Sequence, residues 1–196
     1  MHHKPLAGTD YLPDGFEAPP PAVWPLWFRL VVFTLAFVLL QAGWSLARGT
    51  AVERIAIDNA TVVPAAWLVN QFTPEARAVA VRSSIRATGG GINVLNGCEG
   101  FDVLFLLASA LLIAPATWRR RVFGFVAGAP LVWLLNQGRI LVLFYANRAD
   151  KELFALLHGT VAPLVMIMAV TLAFVLYLSL PRRSPATLIG QPARTS

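Results

Sequence analysis

The stretch 101–121, FDVLFLLASALLIAPATWRRR, decides the fold of this chain of 196 residues. An almost uninterrupted apolar run opens it, and three arginines in succession close it. An apolar run of about 20 residues crosses a bilayer as a helix, and short basic connections stay on the cytoplasmic side of a membrane. The stretch therefore predicts a transmembrane helix over 101–118. It assigns Arg119, Arg120 and Arg121 to a cytoplasmic loop, in which they act only as orientation signals.

The composition of the whole chain agrees with a membrane protein. Hydrophobic residues make up 57% of the chain and charged residues only 13%, whereas soluble domains carry about 25% charge. The formal net charge of +6 does not indicate nucleic acid, because many of the basic residues flank apolar runs and the chain has no nucleic-acid-binding or phosphate-binding motif. The lipid bilayer is the expected environment, and no nucleic acid is expected as a partner.

Three further apolar stretches have the length of a membrane span. The predicted fold is an all-α integral membrane protein with four transmembrane helices in one membrane domain, 29–181. A proline-rich cytoplasmic tail, 1–28, and a basic cytoplasmic tail, 182–196, flank this domain. The three further spans are predicted over 30–47, 122–145 and 159–180.

The arginine-rich connection fixes the predicted orientation. If the segment 119–121 lies in the cytoplasm, a chain with four spans has both termini in the cytoplasm. The loops 48–100 and 146–158 then lie at the outer, periplasmic face. The expected location is the cell (inner) membrane, crossed several times by the chain.

The outer loop before the second span is predicted to contain short helical pieces. The segment 60–72 reads as a short interfacial helix. The segment 73–87 reads as a helix with Thr73 as its N-cap and Pro74 in its first turn. The glycines at 89–91 predict a hinge or tight turn, and 92–97 predicts a short extended piece that leads to Cys98.

Topology gathers the polar residues of the chain into one layer at the outer membrane face. Cys98 and Asp102 lie at the outer start of the second span, and His158 heads the fourth. Asn136 and Arg139 share one face of the third span near its outer end. An ionisable residue inside a span costs several kcal/mol unless it faces a partner or a wet cavity.

Each of these residues also has an ordinary structural interpretation. Cys98 can be a small packed side chain. Arg139 can pair with Asp102 or Glu99, or extend toward lipid headgroups. His158 can be an interfacial histidine, and Asn136 can join two helices by a hydrogen bond. The convergence of all of them on one layer favours the functional interpretation.

The chemistry that this set permits is acyl transfer. The thiolate of Cys98 is a nucleophile, and His158 can take a proton from the thiol and return one to a leaving amine. Arg139 stays charged, so it suits stabilisation of an oxyanion. Asn136 can orient either partner. No metal or cofactor is expected, because no zinc-type spacing of His, Cys, Asp and Glu occurs.

The stretches GGGINVLNGCEGFDVLFLL (89–107) and NQGRILVLFY (136–145), followed by a histidine at the next span, resemble the exosortase/archaeosortase family. The resemblance covers 60–165 and rests on a C-x-G turn, an N-x-x-R span and a downstream His. It implies a cysteine-type endopeptidase and transpeptidase in the membrane, of the compact kind. Its substrates would be membrane-anchored proteins with a C-terminal sorting signal: a short motif, a hydrophobic helix and a basic tail.

Carried over by position, the resemblance makes Cys98 the nucleophile, Arg139 the stabiliser of the transition state and His158 the general acid and base. Many family members have Ser after the Cys, where this chain has Glu99. A carboxylate there raises the pKa of the thiol unless Arg139 or the helix end offsets it. Asp102 shares a face with Cys98, which suggests that it binds Arg139 or orients His158.

Two alternatives from other classes stay open from the sequence. One is a non-catalytic membrane scaffold or assembly factor, in which Arg139 and Asp102 form a buried pair. The other is a small transporter component, in which Arg139 lines a polar path. The sequence leaves open the recognition motif, the choice between water and an amine as acceptor, and the oligomeric state.

Overall fold

A computed structural model describes residues 24–94 and 98–180 of the chain, and the described part is mostly helical. The predicted tail 1–28 therefore lies largely outside the described residues, and the predicted tail 182–196 lies wholly outside them. The described residues form five helices: α1 (Leu26–Ala47), α2 (51–72), α3 (Phe101–Ile113), α4 (Trp118–Ala149) and α5 (Lys151–Ser179). α2 consists of Ala51–Glu53, a π-helical stretch Arg54–Val62 and Val63–Phe72. α5 contains a π-helical turn at Leu157–Val161.

Three of these helices, α1, α4 and α5, are long and apolar enough to cross a membrane. The remaining predicted span, 101–118, corresponds to the shorter α3, whose 13 residues reach about 20 Å at 1.5 Å per residue. The helix does not continue to 118 because Pro115 follows Ala114, and a residue before proline avoids the helical region. Ala114 accordingly has φ −60° and ψ 141°.

The three arginines lie in the first turn of α4 and not in a loop, so this part of the prediction is wrong. They also do more than orient the chain, because two of them donate to backbone carbonyls at or just after the ends of helices. Arg121 bonds the carbonyls of Ala114 and Ala116 after α3, at 2.9 and 3.1 Å. Arg120 Nη2 bonds the carbonyls at the end of α5, at Tyr177 (2.8 Å), Leu178 (3.2 Å) and Leu180 (2.8 Å).

The helices α3, α4 and α5 form one packed bundle. Its apolar core consists of Val103, Leu107, Leu111, Val132, Met166 and Val170. Two glycines four residues apart on α4 allow the helices to approach closely: a Cβ at Gly124 would lie 2.7 Å from Tyr177, and one at Gly128 would lie 2.6 Å from Leu107. Small residues at this spacing are typical of helix contacts within membranes.

The predicted helix over 73–87 is wrong, because this segment and the next form a three-stranded antiparallel sheet. The strands are β1 (Val79–Val81), β2 (Ser84–Ala87) and β3 (Gly90–Asn93), in the order β1-β2-β3. Helical structure after Thr73 lasts one 3₁₀ turn, Pro74–Ala76, and ends at Arg77 in the left-handed region, with φ 45°. Beyond it the burial alternates with period two, with Ala78 and Ala80 turned inward and Val79 and Val81 exposed, which suits a strand with one buried face.

The sheet and α2 together form a cap on the C-terminal half of α4. Its core joins Ile57, Val62 and Val69 of α2 to Ile85 and Ile92 of the sheet, and to Ile140, Leu143 and Phe144 of α4. Helix over 60–72 is confirmed, although α2 begins earlier, at residue 51. The predicted turn is also confirmed at Gly89, which lies between β2 and β3. The described part of the segment predicted as an outer loop, 48–100, is thus a folded cap and not a set of separate helical pieces.

Candidate active site

The turn that carries Cys98 is fixed by its contact with Asn136 of α4. Asn136 Nδ2 donates to the carbonyl oxygens of Cys98 (3.1 Å) and Glu99 (3.2 Å). Gly100, which caps the N-terminus of α3, has φ 80°, a left-handed conformation that favours glycine. A Cβ at Gly100 would lie 2.8 Å from Asn136 Cγ. The glycine of the C-x-G turn and the asparagine of the N-x-x-R span therefore fit each other.

Cys98 and His158 are in direct contact, although 60 residues separate them in the sequence. Cys98 Sγ lies 3.0 Å from His158 Nδ1. The thiol belongs to the apolar core of the cap and is only 3% exposed. With Nδ1 unprotonated, the thiol donates to the ring, and proton transfer then gives a thiolate beside an imidazolium.

The ring of His158 is held by its own helix. The residue lies in the π-helical turn Leu157–Val161 of α5, one of the wide turns that are frequent at functional sites. Phe154, one turn earlier, stacks on the imidazole with a centroid distance of 5.4 Å and an interplanar angle of 7°. This stacking limits rotation of the ring and keeps Nδ1 near the sulfur.

Arg139 lies one turn beyond Asn136 on α4 and is 8% exposed. Within the described part of the chain, its buried Nε has no hydrogen-bond partner. A buried donor atom without a partner is costly. Since its guanidinium acts electrostatically on the thiol of Cys98, Arg139 supplies positive charge next to the Cys–His pair.

Three effects of different sign act on the pKa of the Cys98 thiol. Burial is the largest and raises the pKa, the guanidinium of Arg139 lowers it, and the carboxylate of Glu99 raises it. The net result is a pKa above the ordinary value, so the neutral thiol is the resting form at neutral pH. Formation of a thiolate at Cys98 would therefore need a proton acceptor within reach, and His158 is the group in contact with the sulfur.

Asp102 is directed to α1 rather than to the Cys–His pair. Its Oδ1 accepts a hydrogen bond of 2.7 Å from Gln41 Nε2. Among the described residues, it forms no hydrogen bond or ion pair with Arg139 or His158. The structure therefore brings Cys98 into contact with both Asn136 and His158. Arg139 lies close enough to act electrostatically on the thiol. Asp102 instead binds the first helix through Gln41.

The sequence interpretation missed two residues that bear on the site. Phe154 lies four residues before His158, and this helical spacing is the signal that would have revealed the stacking. Gln41 lies within the apolar first span, and a polar side chain at such a position is the signal that would have suggested a partner on another helix. Within the described ranges 24–94 and 98–180, no group of three or more His, Cys, Asp or Glu side chains is arranged to hold a metal ion.

The fold and the site define a helical membrane protein with a Cys–His pair beside a buried arginine. The family model of the transmembrane exosortases matches residues 16–177. The chain therefore belongs to the transmembrane exosortase family, as its sequence resemblance indicated. It is similar to archaeosortase A of Natronomonas pharaonis, with 26% identity over 141 residues, which are 69% of this chain and 45% of that protein. The chain thus spans less than half the length of this relative, and no solved structure gives a significant match.

Replacement of Gly100 by Ala tests whether the turn depends on the fit with Asn136. The left-handed backbone costs about 1–2 kcal/mol with a side chain, and the Cβ also displaces the Asn136 amide. We expect Gly100→Ala to loosen the buried turn, and therefore to speed alkylation of Cys98 and lower Tm. Gly49→Ala is the matched control, because Gly49 has φ 77° but nothing within 4 Å of its Cβ position. Equal effects of the two variants on Cys98 alkylation would contradict the proposed fit.

Two charge substitutions should move the titration of Cys98 in opposite directions. Arg139→Gln removes the charge that lowers the pKa of the thiol, so its pKa rises further. Glu99→Gln removes a charge that raises the pKa, so its pKa falls. Cys98 is the single cysteine of the chain. The pH profile of its alkylation by iodoacetamide, followed by intact mass, should therefore shift to higher pH in Arg139→Gln and to lower pH in Glu99→Gln. Shifts of the same sign would be inconsistent with this electrostatic assignment.

Proposed function

We propose that this protein is a membrane cysteine protease or transpeptidase that cleaves proteins at a C-terminal sorting signal through a thioester at Cys98. Membership of the exosortase family supports processing of sorting signals. The single observation that carries the cysteine chemistry is the 3.0 Å distance between Cys98 Sγ and His158 Nδ1. A nucleophile and a base within hydrogen-bond reach are the signature of covalent catalysis.

In the first half of the reaction, His158 Nδ1 takes the proton of the Cys98 thiol. The thiolate attacks the scissile carbonyl carbon, a C–S bond forms, and the carbonyl oxygen becomes an oxyanion. The C–N bond then breaks as the oxyanion collapses, and the leaving amine receives the proton from His158. The products are a thioester at Cys98 and the released C-terminal part of the signal.

In the second half, water or an amine attacks the thioester carbonyl. His158 takes a proton from the attacking group and returns it to the sulfur as the C–S bond breaks. With water, the product is a carboxylic acid, and with an amine it is a new amide. The same Cys–His pair serves both outcomes, so the supply of acceptor determines which one prevails.

Arg139 is proposed to stabilise the negative charge that develops in this sequence, first on sulfur and then on the carbonyl oxygen. Its permanent charge excludes a role as a base. A buried guanidinium whose Nε has no partner in the described structure is available for a new acceptor. In a site with little water, such a donor contributes about 10²–10³-fold to the rate.

The site is proposed to lie at the outer, periplasmic boundary of a four-span protein with both termini in the cytoplasm. Arg139 lies about 27 Å along α4 from Arg121, and His158 about 32 Å along α5 from Ser179, at 1.5 Å per residue. The hydrocarbon layer is about 30 Å thick. With the basic start of α4 at the cytoplasmic side, the Cys–His pair reaches the opposite boundary.

Co-expression with a secreted protein that ends in a short motif, an apolar helix and a basic tail tests this function. We expect Cys98→Ala to reduce processing at least about 10³-fold, as loss of a nucleophile does, and His158→Gln to reduce it strongly. Thr160→Ala is the control for the histidine, because Thr160 is an exposed residue of the same turn. Immunoblots of membrane fractions report the processed and unprocessed forms together with the amount of inserted enzyme.

The outcome separates the three classes of function. A scaffold tolerates Cys98→Ala, and a transporter component depends on Arg139 more than on Cys98. Unchanged processing in a stably inserted Cys98→Ala variant would therefore exclude the cysteine protease.

A further inference from the structure

A cavity of about 250 Å³ adjoins the turn that carries Cys98. Glu99 and Gly100 of this turn line the cavity, together with Asn136 of α4. The other walls are mostly apolar and come from the π-helical stretch of α2, the first turn of α3 and the middle of α4. The cavity therefore shares two residues with the turn that positions the candidate nucleophile, and these residues and Asn136 form its polar end.

Side chains of α4 hold the α2 wall of this cavity in place. The indole nitrogen of Trp133 donates to the carbonyl of Ala60 (2.7 Å), and Gln137 Nε2 donates to that of Thr61 (3.3 Å). Both carbonyls belong to the π-helical stretch of α2, and wide turns of this kind are frequent at functional sites. Ala60 presents only a methyl group to the cavity, so the space between α2 and α4 stays open.

The polar end of the cavity requires a hydrogen-bond donor. Asn136 is 2% exposed, and its Oδ1 has no partner within the described part of the chain. Its Nδ2 already binds the carbonyl oxygens of Cys98 and Glu99. A Cβ at Gly100 would lie 3.1 Å from this Oδ1, so the oxygen lies beside another residue of the cavity wall. A buried acceptor without a donor is costly, and the hydrocarbon tails of lipids cannot supply one.

The charge at this end favours a cationic donor. The carboxylate of Glu99 lines the cavity, and because it raises the pKa of the Cys98 thiol, it also lies near the sulfur. Phe101 and Trp133 add aromatic walls, and aromatic rings attract cations. A carboxylate, an amide oxygen and aromatic rings suit an ammonium or guanidinium group, and the apolar walls suit the methylene groups that carry it.

We propose that this cavity is the specificity pocket for a cationic side chain, lysine or arginine, of the protein substrate, and that Glu99 selects it. The proposal rests on the proposed function, because it concerns the same substrate. Consecutive Cα atoms are about 3.8 Å apart, so the pocket begins one residue's length from the nucleophile. An extended substrate covers about 3.3 Å per residue. The selected side chain therefore belongs to a residue within a few positions of the cleaved bond.

Reporters that differ in a single residue test this selection. Each reporter ends in a short motif, an apolar helix and a basic tail, and Lys, Gln or Glu stands at one of the six positions before the helix. We expect one position at which the unaltered protein processes the Lys reporter about tenfold or more faster than the Glu reporter, since hydrogen bonds between charged groups are strong where water is excluded. Immunoblots report the ratio of the two rates.

Substitutions of Glu99 should change this preference in a graded way. Glu99→Gln should bring the Lys-to-Glu ratio close to one, and Glu99→Lys should invert it. The ratio within each variant cancels the general effect of the substitution on the thiol, which alters the processing of all reporters by the same factor. Glu75→Lys is the matched control and should keep the original ratio, because Glu75 is an exposed acidic residue of the cap that does not line the cavity. Tm values check the fold of each variant.

Protection of a thiol in the pocket tests occupancy without catalysis. Cys98→Ala makes the chain free of cysteine, and Ala60→Cys then adds one thiol to the lining. Asn59→Cys is the matched control, because Asn59 is the equally exposed neighbour on the same helix and does not line the cavity. Each variant is co-expressed with all six Lys reporters and their Glu counterparts, and the membranes are labelled with iodoacetamide. We expect one Lys reporter to slow labelling at position 60 severalfold, its Glu counterpart to leave it unchanged, and neither to affect position 59.

The outcomes separate this proposal from the proposed function. A Lys-to-Glu ratio that is the same in the unaltered protein, Glu99→Gln and Glu99→Lys overturns the pocket, as does a cavity that holds only water, which gives the same result. The proposed function then stands if Cys98→Ala abolishes processing. If Cys98→Ala leaves processing intact, the proposed function fails, and the labelling still decides the pocket. Equal labelling of position 60 with Lys and Glu reporters would overturn it.

Discussion

The contact between Asn136 and the turn at Cys98–Gly100 is the constraint on which the site depends. A buried amide must find hydrogen-bond partners, and Asn136 finds two in the carbonyl oxygens of consecutive residues. The left-handed Gly100 lets the backbone approach this amide and turn directly into α3. The same contact therefore sets the start of α3, the position of Cys98 and its distance from Arg139, one turn further along α4.

Around this fixed turn, the site is buried, and the charges of Arg139 and Glu99 act in opposite directions on the pKa of the Cys98 thiol. The thiol of Cys98 is kept neutral mainly by burial, with Arg139 acting against this effect and Glu99 adding to it. His158 is in contact with the sulfur and stacks on Phe154, so the proton has a defined acceptor. In the proposed reaction, such an arrangement keeps the thiol neutral until His158 accepts its proton.

The sequence predicts the helical membrane character, and topology alone places Cys98, Asn136, Arg139 and His158 in one layer. These inferences work because span length and basic flanks constrain a membrane chain strongly. The sequence analysis missed the sheet at 79–93 because Thr73 and Pro74 have the pattern of a helix start. In the structure, the helical turn that they begin ends at Arg77, which has a left-handed backbone conformation. The partner of Asp102 was also missed, since the bond to Gln41 depends on how α1 packs against α3. Local patterns do not determine such packing.

Detection of a covalent intermediate at Cys98 tests most directly whether this cysteine is the nucleophile. The purified protein is mixed with a sorting-signal reporter, quenched in acid within the first turnovers, and analysed by intact mass and peptide mapping. We expect an adduct that contains the N-terminal part of the reporter, maps to Cys98 and is released by neutral hydroxylamine, as a thioester is. Cleavage of the reporter without any adduct at Cys98, and with equal rate in Cys98→Ala, would contradict a thioester mechanism at this residue.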